Sequence, residues 1–513
     1  MKSPDKYYIT TAIAYPNGKP HIGHAYEVIA TDAIARFHRL DGRDVTFLTG
    51  TDEHGLKIAQ AARAAGVAPK AYVDDMVAAF QAMSRVFDIS HDRFIRTTDA
   101  DHAEASQALW RAMRDAGDLY LDRYEGWYSV RDEAYYDESE LIDATGADGA
   151  PTRLSPQGTA VEWTIEESWF FKLSAYQDRL LDWYDSHDFV QPASRFNEMR
   201  SFVAGGLRDL SISRTSFDWG VPVPDAPGHV MYVWVDALTN YLTGAGYPAP
   251  GYDDTWPADL HVIGKDVVRF HAVYWPAFLM SARIALPRTV FGHGFILDRG
   301  EKMSKSLGNV VDPLALADTL SVDRLRWFLL RDVAFGDDGS YSHAAIVERT
   351  NADLANGIGN LAQRSLSMIA KNCGGVMPNQ GVAGETEDAL TIVLNEQIAV
   401  FMAEMTTLKL HRALEAVMVM VTAANVYFAE AAPWALKATD PARMAAVLAA
   451  VADATRRIAI LVQPVVPEAA ARLLDQLGVA PGARRFADLD THVATGTALP
   501  APAGVFPRWV EPA

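Results

Sequence analysis

"KYYITTAIAYPNGKPHIGHA", residues 6–25, runs from aromatic and β-branched residues into two prolines, an asparagine and two glycines, and closes on two histidines three positions apart. The run "KYYITTAI" has the composition of a buried strand, "YPNGKP" that of a tight turn, and "HAYEVIATDAIARFHRL" the apolar spacing of a helix. "RDVTFLTG" follows as a short buried strand and "GLKIAQAARAA" as helix, which is βαβ order and implies a parallel sheet covered by helices. After about residue 220 the alternation returns, with "DLHVIG" as strand, "DVVRFHAVYWPAFLMSA" as helix and "RTVFGHGFIL" as strand. One α/β sheet is therefore expected to be split by an insertion.

The texture between roughly 116 and 215 is that inserted unit, rich in tyrosine, tryptophan, aspartate and glycine with short strand-like pieces such as "YLDRYEGWYSVRDEAYYDESEL". From about 345 onward nearly everything is long and helical, which predicts an all-α bundle. Its methionines, Met402, Met405, Met418 and Met420, read as core filler. The proline- and alanine-rich tail after 494 reads as a loose or strapped-on end.

A chain of 513 residues exceeds one ordinary core, so two to four packed units are expected. Apolar content of 49% and charged content of 22% suit a water-soluble protein, and no apolar run approaches bilayer-spanning length, so no membrane partner is expected. The N-terminus does not read as an export signal, which makes the cytoplasm the expected location. The single cysteine, Cys373, rules out an intrachain disulfide and a cysteine-based zinc cage. A net charge of −19 disfavours bulk nucleic-acid binding, so an RNA partner must meet a local basic surface. Arg324, Arg326 and Arg331 are one such cluster, although arginines spaced along a helix are usually its solvated face.

A strand that ends in a tight turn and opens into a helix presents unpaired N–H groups and the positive end of the helix dipole at the sheet's carboxyl edge, where a phosphate fits. His21 and His24 lie one helical turn apart on one face, and Gly23 between them permits close approach. By itself this pattern is also ordinary turn chemistry. A second stretch, "KMSKS" at 302–306, sets Lys302 and Lys305 among serines on a polar, glycine-rich segment after a late strand, suited to a polyphosphate leaving group.

The intact "HIGH" (21–24) and "KMSKS" (302–306), with "AYPNGKPHIGHA" and "GTDEHG", resemble the class I aminoacyl-tRNA synthetases, and the methionyl-tRNA synthetase family in particular. The resemblance implies a Rossmann-like doubly wound catalytic sheet in halves 1–115 and 216–315, a connective-peptide insertion at 116–215, a stem-contact linker at 316–345 and an anticodon-binding bundle at 346–513. It implies ATP with Mg2+, L-methionine and tRNA(Met) as reactants. His21, His24, Lys302 and Lys305 would be the catalytic residues, and Asn17, Gly23, Gly264 and Asp266 would join His21, His24 and Lys305 in holding ATP. Asn17 has a turn-stabilising role as an equal alternative. No covalent nucleophile is required, only alignment and charge stabilisation, with closure of the "KMSKS" loop gating the first step.

Asp52 would anchor the substrate ammonium, with a helix N-cap as its ordinary alternative. Ala12, Ile13, Tyr15, Trp234, Ala237, Leu238, Tyr241, Val267, Phe270 and His271 would form the methionine pocket; Leu238 departs from the proline of some relatives. A hydrophobic pocket separates near-isosteres by only about 1–3 kcal/mol. The resemblance therefore implies that homocysteine is removed by cyclisation in the synthetic site, and the insertion is too short for the editing domain of the branched-chain synthetases. Many relatives carry a zinc knuckle there; here the first ligand pair is Ser129 and Asp132 and no second cysteine pair exists, so no metal is expected. Asn360, Arg364 and Trp434 match anticodon-contacting positions, the alternative for Trp434 being a helix-end core residue. A small nucleotidyltransferase would be far shorter, and a silent RNA-binding paralogue would have eroded a signature. With no appended dimerising region, a monomer is expected.

Overall fold

The computed structural model describes residues 5–132, 134–145, 151–298, 301–302, 311–381 and 384–511. Six parallel strands build the main sheet: β1 (Lys6–Thr11), β2 (Asp44–Thr51), β3 (Arg93–Arg96), β4 (Val190–Gln191), β5 (Leu260–Gly264) and β6 (Val290–His293), in the order β3-β2-β1-β5-β6-β4. Its two halves meet across a seam of residues 251 positions apart in sequence, where Ile9 pairs with Leu260 and Thr11 with Val262. The bond between Thr10 Oγ1 and His261 Nδ1, 2.8 Å, crosses the same seam. Strand order reverses there, because β1 leads outward to β2 while β5 leads to β6, and that switch point opens a crevice at the carboxyl edge. The strands are buried on both faces, as Ile9, Phe47, Val262 and Val290 show. At Gly50 a Cβ would lie 2.0 Å from the Ile95 carbonyl oxygen, so only glycine lets β3 approach β2.

The inserted segment folds as an antiparallel sheet in which Leu119–Ser129 pairs with Glu162–Phe171 and with Ala134–Tyr136. The C-terminal region is helical: Asn360–Asn372, Glu385–Thr406, Leu410–Ala431, Pro441–Val462 and Pro467–Gln476. The tail is strapped on, with Val505 and Phe506 buried and the Trp509 backbone exchanging two bonds with the Asn351 side chain.

Two sequence expectations need correction. Arg326 is no surface residue: fully buried, it bonds Asp32 at 2.6 Å and donates to the carbonyls of Phe87, Pro464 and Val465. It thereby bolts helix α1 (Ile22–Leu40), which carries Asp32, to the bundle, and a fan of donors reading three carbonyls is what a guanidinium does best. Secondly, two bundle segments, Glu385–Thr406 and Leu410–Leu436, are long and apolar enough by composition to cross a membrane, contrary to the expectation of none. They pack against each other, and Leu394, Phe401, Leu414 and Val417 belong to the apolar core that continues into the main sheet. Leu410–Leu436 is half buried and Glu385–Thr406 buries one stripe, Leu390, Leu394, Phe401 and Met405, which is the pattern of amphipathic helices packed in a bundle.

Candidate active site

Helix α1 begins with imidazoles doing the work of a capping box. The His21 Nδ1 accepts from the Gly23 N–H and the His24 Nδ1 accepts from the His21 N–H, both at 3.1 Å, with ring centroids 3.8 Å apart. Since each Nδ1 is an acceptor, each neutral ring carries its hydrogen on Nε2. The turn therefore fixes both tautomers as Nε2–H donors beside the positive end of α1, the polarity a phosphate requires. A Cβ on Gly23 would lie 3.0 Å from the His21 ring, which accounts for glycine between the histidines.

A cavity of about 630 Å³ lies over this junction. Its lining brings together His21, Gly23 and His24 from α1, Ala12, Ile13 and Tyr15 from beyond β1, Asp52 from beyond β2, and Gly264 and Asp266 from the end of β5. Asp52 is placed by a ladder of backbone bonds, its N–H donating to Ala14 and the Ala14 N–H to Gly50, each 2.9 Å. The next helix, Leu56–Ala64, is capped at Gly55, so the N-cap alternative for Asp52 does not hold. Asn17 sits in the turn, its backbone N–H donating to Tyr15 O at 2.9 Å.

The apolar wall comes from helix α2 (Val233–Ala245), whose Trp234, Ala237, Leu238 and Tyr241 form one face at helical spacing. Val267, Phe270 and His271 close the pocket, the last two from a widened π turn at Phe270–Tyr274. Trp234 and Phe270 stack with centroids 3.7 Å apart and planes 6° from parallel. His271 Nδ1–H donates to Val267 O at 3.0 Å, so its Nε2 accepts from the Tyr241 hydroxyl at 2.6 Å. Burial lowers the His271 pKa to about 4 and raises that of Tyr241, so both are neutral and the pocket is an uncharged slot.

Lining residues that sequence reasoning missed include Glu27 and His293, whose side chains pair at 2.9 Å beside Gly264. Burial would lower the His293 pKa, but the Glu27 carboxylate outweighs it and the value rises. Glu27 stands one turn beyond His24, a spacing that could have flagged it. Arg131 and Thr159 from the insertion also reach the cavity, with no sequence signal, as does Asp132, which the sequence marks only as a knuckle position. Lys302 is the second residue of a short strand, Glu301–Lys302, paired with Ile296–Asp298. Its side chain, and Lys305 entirely, lie outside the described residues.

At the knuckle, Ser129 Oγ bonds Thr159 Oγ1 at 2.7 Å and accepts from the Asp132 N–H at 3.1 Å. The Asp132 carboxylate accepts from Ser155 Oγ at 2.6 Å, from Tyr136 at 3.0 Å and from Thr159. These are oxygen donors committed to one another, a set that does not fit a tetrahedral zinc site built on thiolate or imidazole.

In the bundle, Asn360 and Arg364 lie one turn apart, and the Arg364 guanidinium stands 4.9 Å over the Phe428 ring and 5.7 Å over that of Trp434. Trp434 is 50% exposed, which excludes the core reading and leaves an open aromatic face next to a cation.

Comparison with known proteins agrees with this arrangement. Residues 7–366 match the family described as tRNA synthetases class I (M), and residues 377–511 the anticodon binding domain of methionyl tRNA ligase. A methionine–tRNA ligase of Mesorhizobium japonicum is 60% identical over 517 aligned positions covering 99% of each chain, and one of Brucella suis is 58% identical with the same coverage. The solved Mycobacterium tuberculosis methionyl-tRNA synthetase in complex with methionyl-adenylate superposes with a TM-score of 0.95 at 58% identity, over 98% of this chain and all of that one. This chain belongs to the methionyl-tRNA synthetases of class I.

Proposed function

We propose that the enzyme activates L-methionine with ATP in the cavity at the switch point and passes it to the terminal adenosine of tRNA(Met), with each step assigned to residues as follows. The methionine carboxylate attacks the α-phosphorus; one P–O bond forms and the bond to pyrophosphate breaks. The Nε2–H groups of His21 and His24 stabilise the charge gathering on phosphate oxygens, an effect that is largest when donors are fixed beforehand. Lys302 and Lys305 neutralise the departing pyrophosphate, Gly264 and Asp266 receive the nucleoside, and Mg2+ enters with ATP. Asp52 takes the substrate ammonium while the thioether lies in the uncharged slot between Tyr241 and Trp234. A ribose hydroxyl of the tRNA, by family analogy the 2′, then attacks the acyl carbon and AMP leaves. Homocysteine, which lacks the S-methyl group and carries a free thiol, enters the same slot and is removed there by cyclisation, its sulfur attacking the activated carbonyl as AMP leaves.

The observation that carries this reading is the meeting of two preset Nε2–H donors, the Asp52 carboxylate and one apolar helix face around a single cavity. Pyrophosphate exchange run with each standard amino acid tests it: methionine alone should support exchange, and equal support from leucine or isoleucine would refute the slot. The bundle reads the anticodon by stacking an unpaired base on Trp434 beside Arg364, with Asn360 supplying hydrogen bonds. The oxygen-bonded knuckle supports a zinc-free insertion, which elemental analysis of purified protein checks. We further propose a monomer working in the cytoplasm; light scattering that gives a dimer at micromolar concentration would refute the first part.

A further inference from the structure

Asp236 has no exposed side-chain surface, yet it lies on α2 between Trp234 and Ala237, both of which line the cavity. Its Oδ2 is 2.6 Å from His54 Nδ1 and its Oδ1 is 2.6 Å from His102 Nε2. His102, equally buried, sits on the helix Ala100–Asp115 and bonds back to Thr243 Oγ1 of α2 at 3.0 Å. Burial pushes the Asp236 carboxyl upward, but the two imidazoles outweigh this and hold it at about 2, so the group is an anion. For His54, burial pulls downward and the Asp236 charge reverses it, giving a raised pKa. An apolar helix contact here would be cheaper than an ionised carboxylate, so stability does not explain the charge.

What the charge grips is informative. His54 is two residues beyond Asp52, and its carbonyl accepts from the Tyr15 hydroxyl at 3.0 Å. Between them Glu53 is held rigidly, its carboxylate taking two bonds from Arg96 at 2.6 and 2.9 Å and its N–H donating to Thr97 Oγ1 at 2.9 Å. The segment bearing Asp52 is thus fixed to β3 on one side and, through His54, to α2 on the other. We infer that Asp236, His54 and His102 form a buried clamp that sets the spacing between the carboxylate anchoring the ammonium and the helix face receiving the thioether. Asp236 and His54 are positioning residues that measure the length of the amino acid. Directional charged hydrogen bonds suit this task, because packing alone tolerates sliding and a site is useful only within a fraction of an ångström.

This inference rests on the reading of Asp52 as ammonium anchor, and the test separates the two. In pyrophosphate exchange, Asp236→Asn and His54→Ala should each raise the KM for methionine about tenfold while the KM for ATP and kcat stay within about twofold, a uniform loss of amino-acid binding. His54→Gln, which keeps an N–H for the carboxylate, should recover most of the loss and serves as the deciding variant if Asp236→Asn does not fold. The discrimination against norleucine and ethionine, isosteric and longer respectively, should shrink in His54→Ala. Unchanged methionine KM, or methionine and ATP KM rising together, would overturn the clamp. If Asp52→Asn leaves methionine binding intact, the anchor reading fails instead; if it weakens binding and His54→Ala does not, only the clamp fails.

Discussion

In the proposed function, the carboxyl edge of the sheet and the Trp434 end of the bundle recognise their ligands by opposite means. At the sheet edge the groups around the amino-acid anchor are tied down before any ligand arrives: Asp52 is 7% exposed, Glu53 and Asp236 not at all, and the half-buried histidines of the turn have their tautomers set by backbone N–H groups. In the bundle, Trp434 is half open to water and Arg364 lies over its ring with no such cage. A small amino acid offers few atoms, so its site must gain selectivity from fixed charges in a dry slot. An RNA loop brings large aromatic faces of its own, and an exposed stacking platform suffices.

That contrast is broken most forcefully at Asp52. Truncating one partner of a buried charge pair costs about 2–5 kcal/mol, so Asp52→Asn should lower kcat/KM for methionine in pyrophosphate exchange about 10²–10³-fold. A change below tenfold would mean the ammonium is held elsewhere. On the other side, a stacked base is worth about 1–3 kcal/mol, and Trp434→Ala should reduce aminoacylation roughly 10–100-fold with exchange intact. Equal loss of both activities would give Trp434 a folding role. Dialysis against a zinc chelator should leave exchange unchanged once Mg2+ is restored, whereas Ser155→Ala, which removes a donor to Asp132, should raise protease sensitivity of the insertion.

The smallest effect lies at the junction of the two regions. Asp323, whose carboxylate accepts from the Ala469 N–H at 2.8 Å, has its pKa raised to about 6, chiefly by burial. The folded state therefore holds a proton between pH 4 and 6 that the unfolded chain has released, and stability falls as pH rises through this window. Asp323→Asn keeps the acceptor without the charge and should stabilise the protein by on the order of 1 kcal/mol above pH 6, the gain closing toward pH 4. A variant melting lower than the parent at pH 7.5 would show that the charge is favourable at the start of helix Pro467–Gln476.

Local patterns carried most of the fold. The turn before α1 and the alternation around it are contiguous, so strand, turn, helix and paired histidines were all readable, and the split sheet followed from the same alternation recurring later. Interactions between remote segments were not readable. His54 and Asp236 are 182 positions apart, Glu27 and His293 are 266 apart, and nothing in either sequence neighbourhood announces its partner. Arg326 misled for the same reason: its spacing with Arg324 suggested a solvated face, while its partner Asp32 is 294 positions away. The knuckle is intermediate. Ser129 and Asp132 were seen to be poor zinc ligands, but the hydrogen-bonded replacement needed Ser155 and Thr159, which only the folded hairpin supplies.

The most direct test of the whole account is a crystal structure of this chain with a non-hydrolysable methionyl-adenylate analogue. The ammonium should lie within about 3 Å of an Asp52 oxygen, the phosphate should face His21 and His24 through Nε2, and the thioether should sit between Trp234 and Tyr241. An analogue bound with its ammonium turned away from Asp52, or its phosphate beyond reach of both histidines, would contradict it.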